Sequence, residues 1–247
     1  MHTAAAKLTF FIINFLMINS FPHFLFYKSH ALTAKERRCV AFSGIRTVTC
    51  KMNIMQTTET GDTIKKRRTI KPDRMNGRII PDDIILQLLG NADWAPTHAR
   101  TEPWRFIVFA NDKAAAFARR HAELYRRFTD PNTFTEQKYN NLVRLGENVS
   151  HIVIAWMKRV SNHKIPEIEE VCATAAAIQN ILLTATSLDI ASFWSTGGIT
   201  HHPALRHEFN MGDEDRILGM LYLGYSDEPL KEGTRMIPLA DKIEWIK

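Results

Sequence analysis

Apolar positions along the chain recur at two periods, and the alternation between them lays out the elements. Residues 81–91 read as a helix: Pro81 takes its first position, Asp82 and Asp83 complement the helix dipole, and Ile84, Ile85, Leu88 and Leu89 face inward. Residues 105–110 form a strand, after which Asn111 or Asp112 caps a helix through Tyr125. The mostly polar stretch 129–147 reads as irregular. Residues 152–157 are an unbroken apolar run, short enough for a strand buried on both faces. Pro166 then opens the longest periodic element, with Glu167, Glu169 and Glu170 in its first turn. Its Val171, Ala175, Ile178, Leu182 and Ala185 alternate at spacings of four and three and so share a face. Ala173, Ala176 and Ala177 keep much of the remaining circumference small, which suits a central helix touching two neighbours. A strand ending at Trp194-Ser195-Thr196-Gly197, a short helix over 203–209 and a strand over 217–225 complete the pattern. Glycines in that last strand mark places where something approaches closely.

Two segments break the periodicity. Between Trp94 and Trp104, Pro96 and Pro103 bracket a His and an Arg, His98 and Arg100. Each proline fixes its own φ and drives the preceding residue toward extended conformations, so the helix before it cannot continue. Polar side chains held between two aromatics suggest a lined pocket. The second segment is the basic run Lys65-Lys66-Arg67-Arg68-Thr69, ended by Pro72. Taken alone, such a run reads as a solvated face or a nuclear-localisation-like tract.

Composition changes this picture in one respect. With 247 residues, 45% apolar and 23% charged, the chain is ordinary globular material able to bury a substantial core, in one or two domains. A net charge of +6 would suggest nucleic acid, but residues 1–55 hold seven Lys or Arg against the single acid Glu36, which is the entire excess. The body from residue 56 onward is balanced and has no general attraction for a polyanion. Cys39 and Cys50 lie in the same N-terminal region and only Cys172 in the body, so neither a disulfide-stapled domain nor a Cys-x-x-Cys pair is indicated.

Residues 8–27 are mostly apolar between Lys7 and Lys28, and three readings compete. A secretory signal lacks an obvious cleavage site. A membrane anchor is long enough to span but is interrupted by Asn14, Asn19, Pro22 and His23. The preferred reading is a frame opened too far upstream, with Met52 or Met55 the natural start. Residues 1–55 are thus expected to be a poorly ordered or locally helical extension, and 56–247 the functional domain.

The run Ala95-Pro96-Thr97-His98, followed by Glu102-Pro103-Trp104-Arg105-Phe106, resembles the signature of the FMN-dependent nitroreductase family. Three further pieces agree in order: Arg67-Arg68-Thr69 near the domain start, Trp194-Ser195-Thr196-Gly197 after a long helix, and Leu223-Gly224-Tyr225 with Pro229 and Arg235 beyond. The resemblance spans about residues 56–240 and is closest to the compact branch with a His in the first loop. It implies an α+β, three-layer α-β-α fold: a central mixed, mainly antiparallel sheet flanked by helices, with the long helix at the core of a homodimer. It also implies FMN at the subunit interface. Arg67, Arg68, Thr69 and Arg235 would hold the phosphate and Lys71 would reach the pyrimidine edge. His98 and Glu102 of the partner subunit would contact the ribityl and ring, and Trp194, Ser195 and Thr196 would line the flavin. Two departures stand out. Asp189 replaces the usual Gly after the long helix, which is tolerable because Asp visits the left-handed region readily. Glu102 stands where Gln is common and removes two donors; next to reduced flavin it is either protonated or turned to the ribityl hydroxyls.

The activity so implied is an NAD(P)H-dependent, ping-pong reduction of nitro compounds, quinones or related small acceptors. The cofactor would carry the chemistry, so no catalytic side chain and no metal site is expected. A Rossmann domain is excluded because no strand is followed by Gly-x-Gly-x-x-Gly. A membrane-tethered, non-enzymatic binding protein is the rival supported by residues 8–27, and a dehalogenating or flavin-fragmenting relative is the rival within the fold. The expected location is cytoplasmic.

Overall fold

Strand alternation builds the molecule from the inside outward. The computed structural model describes residues 58–161 and 164–247, so the expectations for residues 8–27 and for a boundary near residue 55 lie outside the described residues. Four strands, β1 (Trp104–Ala110), β2 (His151–Met157), β3 (Ala191–Ser195) and β4 (Arg216–Gly224), form one sheet in the order β1-β2-β4-β3. Each ladder is antiparallel, so the parallel component of the expected mixed sheet is not found among the described residues.

Side chains on alternate positions of the two central strands enter two separate cores. Ile152 and Ile154 of β2, with Met220 and Tyr222 of β4, meet α3 (Asp112–Phe128), α4 (Glu136–Arg144) and α6 (Pro203–Glu208). Val153 and Ala155, with Leu221 and Leu223, meet α2 (Asp82–Ala92) and α5 (Glu167–Ser187). The three-layer α-β-α arrangement follows directly, and α1 (Glu59–Lys66) precedes it in the chain.

Three local expectations need correction. Residues 136–144 are helical rather than irregular. Thr135 supplies the cap, its Oγ1 accepting from the Lys138 N–H at 3.3 Å, and Leu142 is the one fully buried side chain of α4. So few apolar positions give no visible period. Asn111 does hold the position before α3, but at φ 52° its side chain makes no capping bond, and α3 runs to Phe128. Finally, the buried face of α5 is Glu170, Ala173, Thr174, Ala177, Ile178, Ile181, Leu182 and Ala185, turned from the expected row, with Val171 and Ala175 only half-buried. The alanines let the helix lie close on the sheet, and Glu170 is drawn inward because it pairs with Arg159.

After α5 the chain turns at Asp189, which adopts φ 53°, the left-handed conformation expected of it, while Ile190 N–H donates back to the Ala185 carbonyl at 2.8 Å. β3 then runs along the sheet margin. On its outer edge, Ile70 N–H donates to the Ser192 carbonyl at 2.9 Å and sets the basic segment beside the strand.

Candidate functional site

The basic segment is shaped by the end of α1. Arg67 leaves the helix at φ −54°, ψ 124°, and the chain continues extended through Lys71 at φ −70°, ψ 154°. An extended chain sends successive side chains to opposite faces. Arg68 and Ile70 share one face and are half-buried, Ile70 against the α3 core; Thr69 and Lys71 on the other face are exposed. Arg67 falls on their face by the same alternation but is half-buried, as Arg68 is. The side chains of Arg67, Thr69 and Lys71 make no hydrogen bond or ion pair among the described residues. Arg68 differs. Its Nε donates to the Lys231 carbonyl at 2.9 Å, and its Nη1 donates to the carbonyls of Lys65 and Arg67 at 2.6 and 2.8 Å. Three backbone oxygens therefore engage the Nε and Nη1 of the guanidinium expected at the phosphate, and none engages its Nη2 among the described residues.

Between Pro96 and Pro103 the backbone is strained. Ala99, Arg100 and Glu102 have φ of 51°, 54° and 42°, a region that side chains with a Cβ enter at a cost of roughly 1–2 kcal/mol each. Thr97 Oγ1 helps hold the shape, bonding Thr101 Oγ1 at 2.9 Å and accepting from Glu102 N–H at 3.3 Å. His98 Nδ1 meets Glu169 Oε2 of α5 at 2.5 Å. A cleft of about 350 Å³ opens here, lined by Pro96, Thr97, His98, Ile168, Glu169 and Cys172. The two tryptophans do not flank it as a pair: Trp104 is buried and donates to Asp93 Oδ1 at 2.9 Å, while Trp94 stands in solvent.

At the end of β3 the Trp194 indole N–H donates to the Leu218 carbonyl at 3.0 Å, so the ring offers a surface and no free donor. Ser195 Oγ accepts from Gly197 N–H at 3.3 Å, and Thr196 is exposed. The turn that follows is held by a residue the sequence did not single out. His121 of α3 accepts the Ile199 N–H on Nε2 at 3.3 Å, and burial pushes its pKa down to about 4. Gly198, at φ 65°, lies so close that an added Cβ would stand 2.5 Å from the imidazole Cε1. The only sequence signal was a His on the apolar face of α3, four residues from both Phe117 and Tyr125. Arg235 is exposed, and among the described residues its guanidinium reaches only the Thr234 carbonyl.

These residues form two groups within one chain. Arg67, Thr69 and Lys71 lie by β3, while Arg68 and Ile70 on the opposite face line, with Lys66 and Thr186, a second cleft of about 260 Å³ near the C-terminal end of α5. His98 is tied to Glu169 at the other end. From Glu169 to Thr186 the helix advances about 25 Å at roughly 1.5 Å per residue, so one protomer does not gather the whole set.

Comparison with known proteins bears on the same span. YfhC of Bacillus subtilis (strain 168), provisionally named an NAD(P)H nitroreductase, is 27% identical over 181 residues, covering 73% of this chain and 91% of the relative. YdjA of Escherichia coli (strain K12), named in the same way, is 25% identical over 134 residues, 53% of this chain and 69% of its own. Among solved structures, a nitroreductase-like family protein from Bacillus cereus aligns with a TM-score of 0.63 and 24% identity over 78% of this chain and 99% of its own. A nitroreductase with bound FMN from Bacteroides fragilis NCTC 9343 aligns with a TM-score of 0.56 and 23% identity over 77% and 100%. The model of the nitroreductase family matches residues 64–225, from the basic segment to the end of the last strand, and the chain belongs to that family.

Proposed function

We propose that the chain is an FMN-dependent oxidoreductase that uses NAD(P)H to reduce nitro compounds, quinones or related small acceptors, and that it works as a homodimer with the cofactor between subunits. The observation that carries this reading is the free cationic and hydroxyl edge of Arg67, Thr69 and Lys71, set along β3 and separated by most of α5 from the His98 loop. A nucleotide with a dianionic phosphate, a polyhydroxylated linker and a planar ring needs that kind of donor set. The names of the relatives and of the FMN-bound neighbour point the same way.

The residues present fit the group. Arg67 can meet two phosphate oxygens with its planar fork, Thr69 can add a neutral donor and Lys71 a point charge. Arg235 of the C-terminal arm would complete the neutralisation. Trp194 would supply an apolar wall, because its indole N–H is committed to Leu218. Hydroxyls of Ser195 and Thr196 are the donors left at the end of β3. His98 and Glu102 would come from the partner, since their own protomer holds them at the far end of α5. When bound, FMN would supply two-electron redox chemistry between NAD(P)H and the second substrate. The protein's part is binding, orientation and exclusion of water.

The test is an absorbance spectrum of the full chain with FMN, before and after anaerobic NADH or NADPH. A bound flavin that bleaches with reduced nicotinamide is the expected result. Arg67→Ala should weaken FMN binding by tenfold or more, the scale of one lost charge-assisted contact at about 1.4 kcal/mol per tenfold. A chain that takes up no flavin sinks the reading.

A further inference from the structure

We infer that Arg68 is a positioning residue: it latches the C-terminal arm at Lys231 and thereby sets where Arg235 stands. The part about Arg235 rests on the proposed cofactor reading; the latch itself does not.

The arm leaves β4 through a well-fastened turn. Asn76 N–H donates to the Tyr225 carbonyl at 2.9 Å, Ser226 Oγ donates to the Arg74 carbonyl at 2.7 Å, Asn76 Nδ2 reaches Asp227 Oδ1 at 2.9 Å, and Arg74 pairs with Glu228. The last tie is Arg68 Nε to the Lys231 carbonyl at 2.9 Å. Beyond it, no hydrogen bond or ion pair joins residues 232–247 to the body among the described residues. On its other edge the guanidinium is fixed by the carbonyls of Lys65 and Arg67. One rigid fork thus bridges the end of α1 and the start of the arm, donating in two directions at once, which an ammonium on a flexible stem does not reproduce. Gly233 closes the contact from above. A Cβ there would lie 2.4 Å from Nη2 and 2.5 Å from Cζ, so a side chain at that position would require the guanidinium tip to move. Arg235 follows two residues later, so the tie at Lys231 limits how far it can stray from Arg67 and Thr69. Arg68 acts on the phosphate through the arm, while Arg67 on the opposite face touches it directly.

Trypsin reads the latch without any flavin. Cleavage after Lys231 needs the carbonyl that Arg68 holds, and its rate follows the population in which that bond is open. On the full chain without FMN, Arg68→Ala and Arg68→Lys should both raise the rate of cut after Lys231 by about tenfold or more, the scale of a lost hydrogen bond to a charged group. Gly233→Ala keeps Arg68 and its charge but displaces the guanidinium tip, and it should do the same. It also serves if Arg68→Ala folds poorly. A wild-type rate in Arg68→Lys or in Gly233→Ala overturns the latch. With FMN added, Arg68→Lys should lose affinity as Arg68→Ala does, and Arg235→Ala should cost nothing further in the Arg68→Ala background. Affinity retained in Arg68→Lys overturns the positioning role, because charge alone would then suffice. Because the cleavage rates are taken without flavin, a protein that binds no FMN removes the redox reading and leaves the latch supported.

Discussion

The indole of Trp194 lies across the bare Cα of Gly219: a Cβ added at Gly219 would stand 2.2 Å from the indole Nε1 and 2.9 Å from the Ser195 carbonyl oxygen. Gly219 also sits at φ 151°, where the β2–β4 register shifts at Ala155/Trp156, so the bulge, the missing side chain and the tryptophan are one device. It aims the end of β3 and fixes the wall proposed for the flavin. Gly219→Ala should destabilise the fold by about 3 kcal/mol through backbone strain and collision. The check is a denaturation midpoint together with tryptophan emission. Adding Trp194→Phe should recover only part, since the φ penalty stays; full recovery would mean that collision was the whole effect.

His121 makes stability depend on pH. Burial holds its pKa at about 4 against an ordinary value of 6.5, so between those values the unfolded chain binds a proton that the folded chain does not. The contribution is complete above pH 6.5 and is lost as pH falls toward about 4, on the order of 3 kcal/mol in all. His151 acts in the same direction, since desolvation also lowers its pKa. Urea unfolding at about pH 7 and about pH 4.5 measures the loss. His121→Gln should start less stable and show a flatter pH dependence; an unchanged slope would remove His121 as the source.

Much of this architecture was legible because burial writes itself as period. β2 is apolar at nearly every position, and α2 shows its inward face in Ile85 and Leu88. Asp189 could be placed in a left-handed turn because few residues other than Gly adopt one there. What escaped notice were interactions that leave no period. α4 hides because Leu142 is its one buried side chain. The inward turn of α5 depends on Arg159, which arrives from a loop and lets an acid face the core. Motif likeness grouped Arg67 with Arg68, and only the alternation of an extended chain separates them. The His98 loop was found through its prolines, yet its positive φ angles and its tie to Glu169 come from tertiary contact and not from local sequence.

Arg159 and Glu170 form an ion pair in which the glutamate side chain is fully buried, and one of its oxygens, Oε1, has no hydrogen-bond partner. Nearby, Arg159 N–H donates to Asp215 Oδ1 at 2.9 Å. Removing the arginine alone would strand a charge in the core. Arg159→Met should therefore cost about 3–5 kcal/mol, whereas Arg159→Met with Glu170→Leu should recover most of it, because desolvating the pair offsets much of its attraction. Chemical denaturation of the three proteins decides. A double variant as unstable as Arg159→Met would show that the pair holds the start of α5 through geometry that apolar packing does not replace.

If the flavin site is shared between subunits, two defective chains should mend each other. Arg67 and His98 lie toward opposite ends of α5 in one protomer, so each of the two sites in a dimer would take Arg67 from one chain and His98 from the other. Arg67→Ala and His98→Ala dimers should each bind FMN weakly at both sites. In a mixed dimer, one site receives both altered residues and the other receives neither. Co-expression with two different affinity tags, followed by sequential purification, isolates that species. Its expected occupancy is one tightly bound FMN per dimer, about half the wild-type content, which flavin release and absorbance would count. If Arg67 and His98 served a site within one chain, every site in the mixed dimer would carry one defect, and no tight flavin would return.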